Sequence, residues 1–194
     1  EMRVLIVKTS SMGDVVHALP VVHDIHQSLP GAQIEWLIES TFAALPRMHP
    51  GVSRVHALAW RRWRKKLFAR DTWRAMGELR TQLRAQRYDC VLDLQGLTKS
   101  ALWGRQADGP LMGYDMSSGR DPFAPLLYAR RAAVSLKLHA IERCRRLASI
   151  HLGYPMPAGD PVFGIVPGKG SWKLRGGPSA ALIPCASRPE KIWP

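Results

Sequence analysis

The sequence predicts an α/β protein built on a parallel, doubly wound sheet with helices on both faces. Three observations predict it. Short apolar, β-branched runs recur along the chain, beginning with Val4-Leu5-Ile6-Val7. Stretches of helical periodicity separate them, an alternation typical of parallel sheets. Two of the runs, Val4–Val7 and Val91–Leu94, are almost continuously apolar, as in strands covered on both faces.

The elements follow in order. A strand over Arg3–Lys8 leads into the small-residue turn Thr9-Ser10-Ser11-Met12-Gly13-Asp14, and an apolar helix spans Val15–Leu29. Pro20 limits that helix: either residues 14–19 are irregular, or the regular helix starts near Leu19 with Pro20 as its first residue. Strands are expected at Gln33–Glu39 and Val52–Ala59, with a helix over Thr41–Met48 between them. Asp71–Gln86 has Trp73, Met76, Leu79 and Leu83 at helical spacing, which predicts an inward stripe. Tyr88–Leu94 is the second central strand, with Cys90 as a small core residue. A helix over Thr98–Ala107 and a weaker strand over Leu111–Tyr114 come next. In the helix His139–Leu152, Ile141, Cys144, Leu147, Ala148 and Leu152 face inward, and Gly153 is the C-cap. From Pro155 to Pro178 the chain is rich in Gly, Pro and Lys and reads as a linker. Ala180–Pro184 resembles the start of a new strand. The expected division is therefore a domain over 1–154, a linker over 155–179 and the beginning of a second domain over 180–194.

Composition bounds the function. With 46% hydrophobic and 22% charged residues the chain is globular. No apolar run approaches the ~20 residues that span a bilayer, and no secretory signal opens the chain, so a cytoplasmic protein is expected. Cys90, Cys144 and Cys185 form no Cys-x-x-Cys pair, which argues against a zinc site or disulfide framework. The formal net charge of +13 draws the chain toward anions: nucleic acid, phosphorylated substrates or an acidic membrane face. The densest patch is Arg61-Arg62-Trp63-Arg64-Lys65-Lys66.

Ligands of open α/β sheets bind at the carboxyl ends of the strands, which is where the turn after the first strand places Asp14. That turn lacks both the G-x-G-x-x-G and the G-x-x-x-x-G-K-[ST] patterns, so neither a dinucleotide nor a P-loop site is supported. Asp14 or Ser11 also suits a helix cap, a role compatible with an ionised carboxylate at a helix N-terminus. Gln95-Gly96-Leu97-Thr98-Lys99-Ser100 follows the second central strand, and Gly96 permits close approach of a ligand to the backbone. In Ser117–Pro122, Arg120 either offers a guanidinium to a carboxylate or phosphate or pairs only with Asp121. His139 opens the last helix as a cap or a hydrogen-bonding group.

Together these segments resemble a known family. Lys8-Thr9-Ser10-Ser11-Met12-Gly13-Asp14-Val15 is similar to the opening of the bacterial lipopolysaccharide heptosyltransferases. The likeness continues through Arg61–Lys65, Asp93-Leu94-Gln95-Gly96-Leu97, Lys99-Ser100, Arg120-Asp121-Pro122 and His139–Arg143, and ends at Lys191, Trp193 and Pro194. The opening together with Arg-Arg-Trp-Arg-Lys favours the first heptosyltransferase over the second.

The resemblance implies the N-terminal half of a GT-B glycosyltransferase. Its Rossmann-like domain would hold the lipid acceptor, and a second domain, nearly all beyond this chain, would hold the donor. The implied reaction is an inverting transfer of L-glycero-D-manno-heptose from ADP-heptose to the inner Kdo of Kdo₂-lipid A, and the chain alone is expected to be an inactive fragment. Asp14 is the implied base. Ser10, Ser11, Gly13, Arg61, Arg62, Arg64, Lys65, Gln95, Gly96, Lys99 and Arg120 are implied for the acceptor, and Ser187 and Lys191 for the donor. Trp63 would pack on sugar or on the membrane interface. Peripheral contact with the anionic inner membrane, on its cytoplasmic face, follows from the acceptor. No cofactor, metal or nucleic acid is expected. The alternative is a basic nucleic-acid-binding α/β module, but no helix-turn-helix, RNA-recognition or zinc signature supports it.

Overall fold

The computed structural model describes residues 1–119 and 121–166. Ser187 and Lys191, the start of a second domain and Arg120 lie outside the described residues. Six parallel strands form one sheet: β1 (Arg3–Val7), β2 (Gln33–Glu39), β3 (Arg54–Leu58), β4 (Cys90–Asp93), β5 (Leu111–Tyr114) and β6 (Arg130–Ala132). Their order is β3-β2-β1-β4-β5-β6. β1 and β4, the two most apolar runs, pair at the centre, with Val4 opposite Cys90 and Val7 opposite Asp93.

Alternation along β1 builds two cores, because successive side chains point to opposite faces of a strand. Val4 and Ile6 pack with Ile34, Trp36 and Ile38 of β2 beneath α1 (Met12–Ser28) and α6 (Ala140–Leu152). Leu5 and Val7 pack on the other face with Leu37 and Val91 beneath α4 (Arg70–Arg84) and α5 (Thr98–Gly104). The short helices α2 (Ala44–Arg47) and α3 (Trp60–Trp63) flank β3. The buried pair Arg145–Asp24, 2.6 Å apart, ties α6 to α1 across the first face.

Several expectations are corrected. Helix α1 begins at Met12 and runs unbroken through Pro20. Burial of Val15, Ala18, Leu19, Val21, Val22 and Ile25 against the sheet outweighs the hydrogen bond that proline cannot donate. Trp73 is not part of the inward stripe of α4: it is 61% exposed, and Thr72 is buried in its place. Trp63, expected on a ligand or membrane surface, is buried and packs on Trp103 with ring centroids 5.6 Å apart. Strand β6 and helix α3 were not expected. By contrast, His139 caps α6 by accepting from the Ile141 N–H, and Gly153 ends that helix in the left-handed conformation.

Residues 155–166, read as the start of a linker, lie against the domain. Phe163 and Ile165 pack on the first core, the Val166 N–H donates to Met48 O at 3.1 Å, and Arg145 donates to Gly159 O.

Candidate active site at the carboxyl edge of the sheet

Two loops meet beyond the carboxyl ends of β1 and β4. The first is the turn 8–14. Ser11 is the N-cap residue of α1, and its N–H and hydroxyl both donate to the Asp14 carboxylate, at 3.1 and 3.2 Å. The cap reading and the ligand-edge reading of Asp14 therefore both describe the same residue. Asp14 sits in the first helical turn, where the positive end of the helix dipole favours an ionised carboxylate. It is partly exposed and faces a recess.

The second loop follows β4 and is organised by Asp93. This carboxylate is fully buried. One oxygen accepts from the N–H groups of Gln95 and Gly96 at 2.9 and 3.2 Å, and the other from the hydroxyls of Ser100 and Tyr128 at 2.8 and 2.7 Å. Burial pushes the Asp93 carboxyl above its ordinary range, and the four donors pull it back in part. Gly96 has φ +69°, and a side chain there would meet the Tyr114 ring. The loop so fixed reaches the first one, because Gln95 Oε1 accepts from the Ser10 N–H at 3.3 Å.

Lys8 and Arg143 complete the recess, which Asp14, Gln95, Gly96 and Tyr114 also line. The Lys8 ammonium donates to Leu94 O at 3.0 Å. The Arg143 guanidinium stacks on Tyr114, 4.9 Å from the ring centroid, and donates to Ser118 O. A carboxylate beside two cations, on backbone held by glycine and by helix N-termini, can accept a proton from a bound hydroxyl and hold an anionic substituent next to it.

The remaining expected residues divide. Ser10, Ser11, Gln95 and Gly96 meet around Asp14, whereas Gly13 is exposed in the first turn of α1. Lys99 lines a separate groove between α4 and α5. Ser100 is buried and serves Asp93. Arg61, Arg62, Arg64 and Lys65 are exposed at the carboxyl end of β3. This stretch is anchored rather than free: Arg61 N–H donates to Glu39, its guanidinium lies over Phe42, and Trp63 is buried between its neighbours. Asp121 does not depend on Arg120 for partners, since its carboxylate accepts from the Thr98 and Phe123 N–H groups. Lys8, Asp93 and Arg143 stood in the motifs that carry the resemblance but, like Tyr128, were not assigned to the site from the sequence. The signal for Asp93 was a carboxylate closing an apolar strand, with Gln-Gly two residues on.

Known proteins fit this geometry. Residues 76–194 match glycosyltransferase family 9 (heptosyltransferase). The chain is 40% identical over 195 residues to lipopolysaccharide heptosyltransferase 1 of Escherichia coli, a match covering 100% of this chain and 61% of that protein. It is 42% identical over 168 residues to the Pseudomonas aeruginosa protein of the same name, covering 84% of this chain and 46% of that one. Among solved structures, E. coli heptosyltransferase WaaC with ADP superposes with a TM-score of 0.82 at 43% identity, over 84% of this chain and 51% of that one. The same enzyme with ADP-2-deoxy-2-fluoro heptose gives 0.81 at 44% identity. The chain thus spans about three fifths of the length of the E. coli relative. Its sheet is the N-terminal sheet of a GT-B fold, and the chain belongs to glycosyltransferase family 9, the heptosyltransferases.

Proposed function

We propose that this chain is the acceptor-side half of an inverting heptosyltransferase. The complete enzyme moves L-glycero-D-manno-heptose from ADP-heptose to the inner Kdo of Kdo₂-lipid A. The observation that carries the reading is Asp14: a carboxylate at the ligand edge of the sheet, on a helix N-terminus, facing a recess with Lys8 and Arg143. Inversion needs a single in-line displacement, hence one base and no protein nucleophile. Asp14 takes the proton of the acceptor hydroxyl as its oxygen bonds to the anomeric carbon and ADP departs.

Ser10, Ser11, Gly13, Gln95, Gly96 and Arg120 hold the acceptor sugars; Lys99, in the separate groove, does not join them. Arg61, Arg62, Arg64 and Lys65 grip its anionic groups, consistent with their exposure and positive charge. Ser187 and Lys191 approach the donor diphosphate from a second domain that begins near residue 180. Work on a lipid-linked acceptor implies a cytoplasmic protein in peripheral contact with the anionic inner membrane. Among the described residues no helix is long and apolar enough to cross a membrane.

Titration calorimetry tests the division of labour. The chain should bind deacylated Kdo₂-lipid A sugar and not ADP-heptose. Replacing Arg61, Arg62 and Arg64 by alanine should weaken that binding on the order of tenfold or more while the thermal midpoint holds, since exposed cations add little to stability. Unchanged acceptor affinity would remove the gripping role, and tight ADP-heptose binding by this chain would overturn the assignment of the two halves.

A further inference from the structure

We propose that the groove between α4 and α5 is the face by which this protein docks on a bilayer of anionic lipids. The proposal rests on the peripheral membrane contact in the reading above and assigns it a surface.

The groove has a volume of about 880 Å³ and is walled by Trp60, Trp73, Met76, Leu102 and Trp103. Open apolar concavities of this kind on a soluble surface mark interaction sites. Trp73 is 61% exposed and Leu102 51%, and Phe68, just ahead of α4, is wholly exposed. The Trp73 indole N–H donates to Leu67 O at 2.7 Å. Its polar atom is thus satisfied by nearby backbone, which leaves the ring face free for a hydrocarbon boundary, where tryptophan is favoured.

Charge selects the partner. Exposed Arg61, Arg62, Arg64, Lys65 and Lys66 run directly into Leu67-Phe68, and Arg80 and Lys99 line the groove itself. The ion pairs Glu35–His56, Asp24–Arg145 and Glu142–Arg146 involve none of these cations. The carboxylate that lines the groove, Asp121, is engaged by the Thr98 and Phe123 N–H groups. Cations beside exposed aromatic and aliphatic side chains fit anionic headgroups above acyl chains. An acidic protein would need an apolar patch placed beside its carboxylates to match this surface, whereas an anionic bilayer presents headgroup charge over hydrocarbon everywhere.

Position supports the same surface. α3 follows the carboxyl end of β3, and α5 starts just after the Gln95–Gly96 loop. The groove runs along α5 from Leu97 and Thr98 to Gln106, so its Leu97–Thr98 end lies at the same edge of the sheet as Asp14, where an acceptor anchored in the bilayer would come near the recess.

Sedimentation with vesicles tests the proposal on this chain. Wild type should bind vesicles of phosphatidylglycerol and phosphatidylcholine, should bind pure phosphatidylcholine much less, and should release as salt rises. Phe68→Ser, Trp73→Ser and Leu102→Ser combined keep every charge, and should lower partition on the order of tenfold or more. Trp73→Ser alone should give part of that loss. Ile150→Ser removes an exposed apolar side chain from α6, on the opposite face, and should change nothing. Thermal midpoints should match wild type, because all four side chains are exposed. Wild-type binding by the triple variant, or an equal loss with Ile150→Ser, overturns this surface while membrane contact stands. Equal binding to neutral and anionic vesicles overturns the charge argument, and no binding to either overturns both this surface and the membrane contact. None of these outcomes bears on the assignment of Asp14.

Discussion

Asp14 and Asp93 carry opposite burdens, and substitution separates them. Asp14→Asn keeps the size of the side chain and an oxygen that can still accept from the Ser11 N–H, and asparagine caps helices about as well as aspartate. The substitution should cost at most about 1 kcal/mol of stability through the lost dipole interaction. An amide cannot take the acceptor proton, so transfer should fall about 10²–10⁴-fold, assayed in a chain that also carries the donor half. Near-normal turnover would defeat the base assignment. Asp93 should behave in the reverse sense. Asp93→Ala strands the Tyr128 hydroxyl and two N–H groups, while the Ser100 hydroxyl keeps Leu97 O as an acceptor, and should cost on the order of 3 kcal/mol in urea unfolding. Asp93→Asn keeps one acceptor and should cost less. Equal stability of both variants with wild type would mean that the loop does not depend on the carboxylate. At this scale the sequence was legible for Asp14, because a lone acid in a strand-to-helix turn stands out. It was not legible for Lys8 or Arg143, because an isolated cation shows its role only once the chain brings it to a shared recess.

Among elements, legibility followed burial. β1 and β4 were readable because a strand covered on both faces must be apolar, and β2, β3 and β5 from shorter apolar stretches between helical ones. β6, Arg130-Arg131-Ala132, was invisible because it sits at the sheet edge, where exposed charges are tolerated and discourage further pairing. Periodicity placed α4 correctly but counted Trp73 as core, since spacing alone cannot tell a buried stripe from an exposed groove wall. Trp63 was misjudged for the converse reason: the cations around it are exposed, whereas the ring turns inward to Trp103. The segment 155–166 makes its own prediction. Gly164 has φ +63° and lies against the His49 ring, so a side chain there would be both strained and obstructed. Gly164→Ala should loosen the contacts of Phe163, Ile165 and Val166 at a cost of about 1–2 kcal/mol. Limited proteolysis should then cut this segment faster than in wild type; unchanged cleavage would mean that the contacts do not depend on this glycine.

The stability of the whole molecule should fall in two separate pH windows, and one buried group in each ties the titration to the core. His49 holds its ring neutral. Burial pushes its pKa below the ordinary 6.5, with help from His26 and His23, and its Nδ1 already accepts the Gly51 N–H. The unfolded chain therefore binds a proton that the folded chain refuses, and stability should decline as pH drops below about 6.5 until the folded ring itself titrates. Glu35 acts lower. Burial pushes its carboxyl up, but hydrogen bonds from His56 and Tyr88, each 2.6 Å, outweigh burial and leave it below the ordinary 4.5. Its contribution is present in full above the unfolded value and is lost as pH falls through the folded one. The network joins β2, β3 and the entry to β4, so its loss acts across the sheet rather than at one loop. Urea midpoints measured from pH 7.5 to 3 should therefore show two descents. His49→Gln should make the upper one shallower, the remainder coming from His151, which burial also pushes below 6.5, and leave the lower. Glu35→Gln should cost on the order of 1–3 kcal/mol at neutral pH, because the buried His56 and Tyr88 lose a charged acceptor, and should make the lower descent alone shallower, with the hydrogen-bonded Asp115 and Asp121 supplying what is left. If either variant kept the full slope of its own window, the acid sensitivity would have to arise from other groups.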